Sequence, residues 1–168
     1  MTRGLRSAEG IVSADCMPYN LTKQLLCPLP SCRPPHDHTL HKARSYKHIV
    51  GGADAVRHEL LTGGPVQATF TVYEDFMTYS GGVYKYVTGR KLGLHAVKVV
   101  GYGVTENGTE FWSAMNSWST SFGVNGTFKI KIGECGFESG VYAGKPCVEA
   151  AGECKQKGKF REPQPRFC

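Results

Sequence analysis

His95 and Asn116 stand twenty-one positions apart, the histidine opening the run HAVKVVGYG and the asparagine lying in FWSAMNSW. An imidazole can take up a proton and give it back near neutral pH. A carboxamide oxygen can accept from one ring N–H, which fixes the tautomer and plane of the ring without adding a competing negative charge. Such a pair serves as general base and then general acid for a nucleophile supplied by a third residue. Trp118 follows Asn116 by two positions, on the same face of an extended chain. A histidine opening a strand is more often structural and a lone asparagine says less, so the weight rests on the runs around them.

A second grouping places Cys27, Cys32, His36, His38 and His41 within fifteen positions, a mixture of thiol and imidazole ligands. Four prolines (Pro28, Pro30, Pro34, Pro35) stiffen that stretch and no second cysteine pair follows. Disulfides and solvated histidines fit it better than structural zinc, and no metal or cofactor is expected.

The elements that must hold these groups are legible from periodicity. Residues 1–47 are polar and Pro-rich, with Cys16, Cys27 and Cys32 in loop-like surroundings. A short helix is predicted from Asp54, with Val56, Leu60 and Leu61 on its apolar face and Gly63-Gly64-Pro65 stopping it. From Pro65 the period becomes two: Val66, Ala68, Phe70 and Val72 share one side and Gln67, Thr69 and Thr71 the other. Further strands are predicted at Val83–Val87, Ala96–Tyr102, Phe111–Trp118 and Thr127–Ile132, separated by Gly-containing turns. Strands at such short intervals form an antiparallel sheet curled into a barrel-like layer. The stretch 147–168 is polar, basic and aperiodic and reads as an appended tail.

Composition limits the partners. The 168 residues carry a net charge of +6, but Lys and Arg are scattered, and phosphate tracking requires a clustered basic face, so nucleic acid is not expected. No apolar run is long enough to span a bilayer as a helix, so no membrane partner is expected. Seven cysteines, with Asn-x-Thr sequons at Asn20, Asn107 and Asn125, suit an oxidising, secretory setting, and the odd count leaves at least one thiol free or paired between chains. The opening segment MTRGLRSAEG lacks the apolar stretch of a signal peptide, which suggests a piece of a larger protein.

In order and spacing, HAVxVVGYG, FWxxxNSW, GxNGxFKI and CGFESGVYAG resemble the papain-like cysteine peptidases. The wording GPVQATFTVYEDFMTYSGGVYK, VTGRKLGLHAV and the earlier DCMPYN is similar to the cathepsin-B-like branch. This resemblance implies an α+β, mostly antiparallel fold: the barrel-like right-hand domain of the papain fold over 48–146, with short helices. Residues 1–47 then correspond to a disulfide-rich inter-lobe and occluding-loop region. It implies His95 as acid–base residue, Asn116 as its orienting partner and Trp118 as their shield. Thr69, Gly93, Leu94 and Ala96 would line a substrate pocket with Gly140 at its base. Cys135 matches a position that stays a free thiol.

Several residues depart from the family pattern. Gly140 stands where a Glu would admit a basic side chain, so an apolar or bulky preference is expected. Leu94 replaces a Gly or small polar residue and narrows the cleft, while Phe122 and Val124 replace a Trp and an Asp. The Cys27–His41 stretch has no adjacent histidine pair, which disfavours dipeptide trimming. Nowhere do the 168 residues contain the Gly-Ser-Cys-Trp-like segment that carries the family nucleophile, nor the upstream Gln that donates to the oxyanion. The expectation is a half-site, inactive alone, that acts on peptide or protein substrates when a nucleophile half is supplied in cis or in trans. The alternative is a peptide-binding pseudo-peptidase. The resemblance further implies a lysosomal, vacuolar or secreted location, and an exposed apolar wall would promote self-association.

Overall fold

Strict alternation along 66–73 organises the sheet, since Val66, Ala68, Phe70 and Val72 are all buried and their neighbours half-buried. The computed structural model describes residues 41–147. Among them the elements run β1 (Ala43–His48), α1 (Gly52–Thr62), β2 (Val66–Tyr73), β3 (Val83–Tyr84), β4 (Lys91–Val104), β5 (Glu110–Met115), β6 (Thr127–Lys131) and β7 (Val141–Pro146). The strands follow the order β1-β7-β2-β4-β5-β6-β3. The fold is α+β and mostly antiparallel, as expected, except that β3 joins β6 in parallel. Its ladder is open, with β1 and β3 as edges. Cys16, Cys27, Cys32, His36, His38, the DCMPYN run and the tail from 148 lie outside the described residues, as does any disulfide framework among those cysteines.

The described residues fall into two compact units, one of them Tyr46–Gly144 and the other including residues 41–45 and 145–147. In the larger unit Trp112, Phe70, Phe76, Phe128 and Phe137 are the largest fully buried side chains. Phe70 touches Phe76, Phe128 and Phe137 with ring centroids 5.3, 5.7 and 5.4 Å away. Burying each such ring contributes roughly 2–3 kcal/mol. Among the described residues no helix is long and apolar enough to cross a membrane.

Three local expectations are corrected. The helix turns Val56 and Glu59 inward, whereas Leu61 is 73% exposed. Leu61 lies one residue, about 100° around the helix, beyond half-buried Leu60. Glu59 can be buried because Lys47 on β1 reaches its carboxylate at 2.6 Å. The helix stops where read: the Gly63 and Gly64 N–H groups both donate to the Glu59 carbonyl, and Gly64 takes φ +92°.

The second correction concerns Val83–Val87, where only Val83 and Tyr84 pair as a strand. The rest wraps Asp75, whose carboxylate accepts from the Tyr84 hydroxyl (2.6 Å) and the Val87 and Thr88 N–H groups (2.9 and 3.1 Å). Third, β5 ends at Met115 instead of running to Trp118. Asn116 leaves the sheet and donates its N–H to the Gly126 carbonyl. Strand β4 is longer than read, and β1 and β7 were not anticipated.

Candidate active site

His95 sits within β4, paired with Phe70 of β2 in an unbroken register from Val66↔Val99 to Val72↔Gly93. Its half-buried ring meets Phe70 edge-on at 6.1 Å. The Nε2 atom lies 2.8 Å from Asn116 Oδ1. That oxygen also accepts the N–H of Ser117 at 2.8 Å. A backbone N–H can only donate, so the atom facing it is the carboxamide oxygen. His95 must therefore donate from Nε2, which in the neutral ring leaves the lone pair on Nδ1. Among the described residues nothing bonds to Nδ1, so the basic nitrogen is open. Asn116 Nδ2 is buried without a partner among the described residues. Such an orphan costs about 1–3 kcal/mol, offset here by the two bonds to the oxygen.

Trp118 reaches His95 by a route other than the one the sequence suggests. A shared strand face cannot place it there, because both it and Asn116 lie beyond β5. The loop folds back through Phe122 N–H to the Ser119 carbonyl and Gly126 N–H to the Phe122 carbonyl. Gly126 is required in this loop: φ is +80°, and a Cβ there would meet the Ser119 carbonyl oxygen at 3.2 Å. The indole then stacks on His95 at 4.8 Å and 28°. Phe76 and Phe122 hold it edge-on at 5.7 and 5.0 Å. Phe122 thus braces the shield, a contribution that sequence pattern alone does not reveal.

The residues expected to line a pocket are placed by the β2–β4 register. Thr69 pairs with Ala96, Thr71 with Leu94 and Val72 with Gly93. The pleat directs Leu94 and Ala96 to one face and His95 to the other, beside Val97 and Val99. Leu94 is 71% exposed. Gly140 arrives against Thr69 on a 3₁₀ turn, Phe137–Gly140, anchored by buried Phe137. Glu138 in that turn accepts from Trp112 Nε1 at 2.6 Å and Gly133 N at 3.0 Å. A Cβ at position 140 would stand 3.2 Å from Thr69 Cβ, so Thr69, Ala96 and Gly140 form one close group.

Charges nearby organise the loop that feeds β4. Desolvation raises the Asp75 carboxyl, but its hydrogen bonds from Tyr84, Val87, Thr88 and Phe76 outweigh that and hold it below the usual range. Glu74 is likewise lowered by the Arg90 N–H and by the Arg90 guanidinium, 2.5 Å away. Cys135 is a free thiol. Burial, then the charges of Glu134 and Asp75, push it up to about 11 against an opposing Tyr84 bond. An activated nucleophile has the opposite shift.

An imidazole held through Nε2 by an asparagine and roofed by an indole is the arrangement that the resemblance to the papain-like cysteine peptidases implied. The sequence profile of the papain family cysteine proteases matches residues 3–145. The chain belongs to that family. Cathepsin B of Dictyostelium discoideum is 40% identical over 158 residues, covering 82% of this chain and 49% of that protein. Cathepsin B-like protease 1 of Arabidopsis thaliana is 40% identical over 156 residues, covering 82% of this chain and 41% of the relative. Among solved structures, procathepsin B S9 from Trypanosoma congolense superposes with a TM-score of 0.71 at 34% identity. That match covers 83% of this chain and 50% of the other. The chain thus spans about half the length of the relatives it matches, and the cathepsin-B-like resemblance is borne out.

Proposed function

We propose that this chain supplies the acid–base half of a cathepsin-B-like cysteine peptidase and hydrolyses peptide bonds only when a second segment brings the nucleophilic cysteine and an oxyanion donor. The observation that carries this reading is the open Nδ1 of His95 behind the Nε2–Asn116 bond. A thiol placed at Nδ1 gives up its proton to the ring. Nε2–H donates to Asn116 in both the neutral and the cationic ring, so orientation persists through the cycle. The thiolate attacks the carbonyl, and the Nδ1 proton passes to the departing amine. Thr69, Gly93, Leu94, Ala96 and Gly140 form the substrate-binding surface in this reading. With no carboxylate at position 140 and an isobutyl group at 94, it favours an apolar side chain. The substrate is a peptide or protein, the partner is the nucleophile half in cis or in trans, and the compartment is lysosomal, vacuolar or secretory.

The test is labelling by an epoxide or vinyl sulfone, read by intact mass. The chain alone should take up no label, Cys135 being a poor thiolate. Co-folding with the nucleophile-bearing half of a relative should give stoichiometric labelling that His95→Ala abolishes. Stoichiometric labelling of the chain alone overturns the half-site reading. Leu94, exposed beside the Thr69–Ala96 pair, favours a second reading in which the surface binds peptides without turnover; peptide binding with no hydrolysis by the co-folded pair supports it.

A further inference from the structure

The turn joining β4 to β5 carries a group that the acid–base pair does not use. Glu106, Asn107 and Gly108 are exposed at its tip, and Asn107-Gly108-Thr109 is a glycosylation sequon. The turn is closed by Gly108 N–H to the Thr105 carbonyl (2.9 Å) and Thr105 N–H to the Thr109 carbonyl (3.0 Å), with Gly108 at φ +81°. Asn107 Oδ1 is turned inward, accepting from the Thr105 hydroxyl and, at 3.4 Å, from the Thr109 N–H. Its Nδ2 therefore faces away from the turn, with no partner among the described residues. Beside it lies an open depression lined by Val104, Thr105, Glu106, Asn107, Phe111 and Lys129. Val104 there is 60% exposed, and Lys129 Nζ sits 4.6 Å from the centre of the Phe111 ring.

We propose that Asn107 is an N-glycan acceptor in chains that enter a secretory pathway, and that its first sugar rests in this depression. In the transfer, Nδ2 displaces the lipid diphosphate from the anomeric carbon of a lipid-linked oligosaccharide. One N–C bond forms, one C–O bond breaks, and the Nδ2 proton leaves with the diphosphate. The sugar's C–H face covers Val104 and the edge of Phe111, while Glu106, Thr105 and Lys129 meet its hydroxyls. Val104 lies nine positions beyond His95 along β4, about 30 Å of extended chain, so a glycan here leaves the candidate site open.

The second described sequon is built differently. Asn125 takes φ +52° in the loop that carries Trp118, and the Thr127 hydroxyl is already given to the Val124 carbonyl at 2.6 Å.

The chain is produced in insect cells behind a secretory leader, fused to a reporter domain with a sequon of known occupancy. Peptide-N-glycosidase in ¹⁸O water then marks each occupied asparagine as labelled aspartate. The expected result is label at Asn107, lost in Asn107→Gln and Thr109→Ala and kept in Thr109→Ser. An unlabelled Asn107 beside a labelled reporter, or label at Asn125 alone, overturns the proposal. For the depression, glycans are trimmed to one N-acetylglucosamine, and that sugar is then removed. The melting temperature should fall in the native chain and not in Val104→Ser; an equal response in both removes the depression from the proposal.

Discussion

The indole of Trp118 lies stacked on the imidazole of His95 at 4.8 Å although one residue is in a loop and the other in a strand. Their contact depends on the loop closing through Phe122 and Gly126, and so it can be broken without touching the sheet. Trp118→Ala should cost about 3 kcal/mol, the low end for removing a large aromatic, because the indole is only half-buried. It should also let water reach the His95–Asn116 bond. Urea unfolding reads the first effect. Faster solvent exchange of the Nε2 proton in NMR reads the second, with Trp118→Phe intermediate in both.

Gly140 sets a second test. Because a Cβ there meets Thr69 Cβ at 3.2 Å and the Thr69 carbonyl oxygen at 3.3 Å, Gly140→Glu should destabilise by about 1–3 kcal/mol. Thr69→Gly, which removes that Cβ, should recover part of that loss, giving a coupling energy above about 0.5 kcal/mol in a double-mutant cycle. Additive effects would mean that the two positions do not share a packing site.

The thiol of Cys135 should be quiet at neutral pH. With its pKa pushed up to about 11, alkylation by iodoacetamide should accelerate about tenfold per pH unit between pH 7 and 10. Mass-spectrometric rate measurements check this, and a plateau near pH 8 would contradict it.

Asp75 links pH to stability. Its folded-state pKa is depressed, so the carboxylate stabilises the fold fully above the ordinary Asp value of about 3.9, and that contribution is lost as pH falls through the folded value. Asp75→Asn removes the charged acceptor of the Tyr84, Val87 and Thr88 hydrogen bonds and should cost about 1–3 kcal/mol at pH 7. The gap between the two proteins should close in acid. Denaturation at pH 7, 5 and 3 measures it.

The sheet's central strands were legible because a one-sided burial pattern writes itself into alternate residues, as in Val66, Ala68, Phe70 and Val72. His95 and Asn116 were legible as a pair because each stands in a recognisable run. What failed was long-range in origin. Nothing local says that Lys47 will neutralise Glu59 and let it displace Leu61 from the buried face. The Val83–Val87 run looks like a strand until Asp75 claims its N–H groups. Trp118 was assigned the right neighbour by the wrong geometry, since period-two reasoning cannot foresee a chain that leaves its ladder at Met115. Strand β1 shows no alternation because all six of its residues are exposed.

The tautomer of His95 tests the half-site most directly. In ¹⁵N-labelled chain above the imidazole titration range, long-range ¹H–¹⁵N correlation should show Nε2 protonated and Nδ1 bare, and Asn116→Ala should let the two forms mix. A proton resident on Nδ1 in the native chain, unmoved by Asn116→Ala, would show that the ring is not held for an incoming thiol.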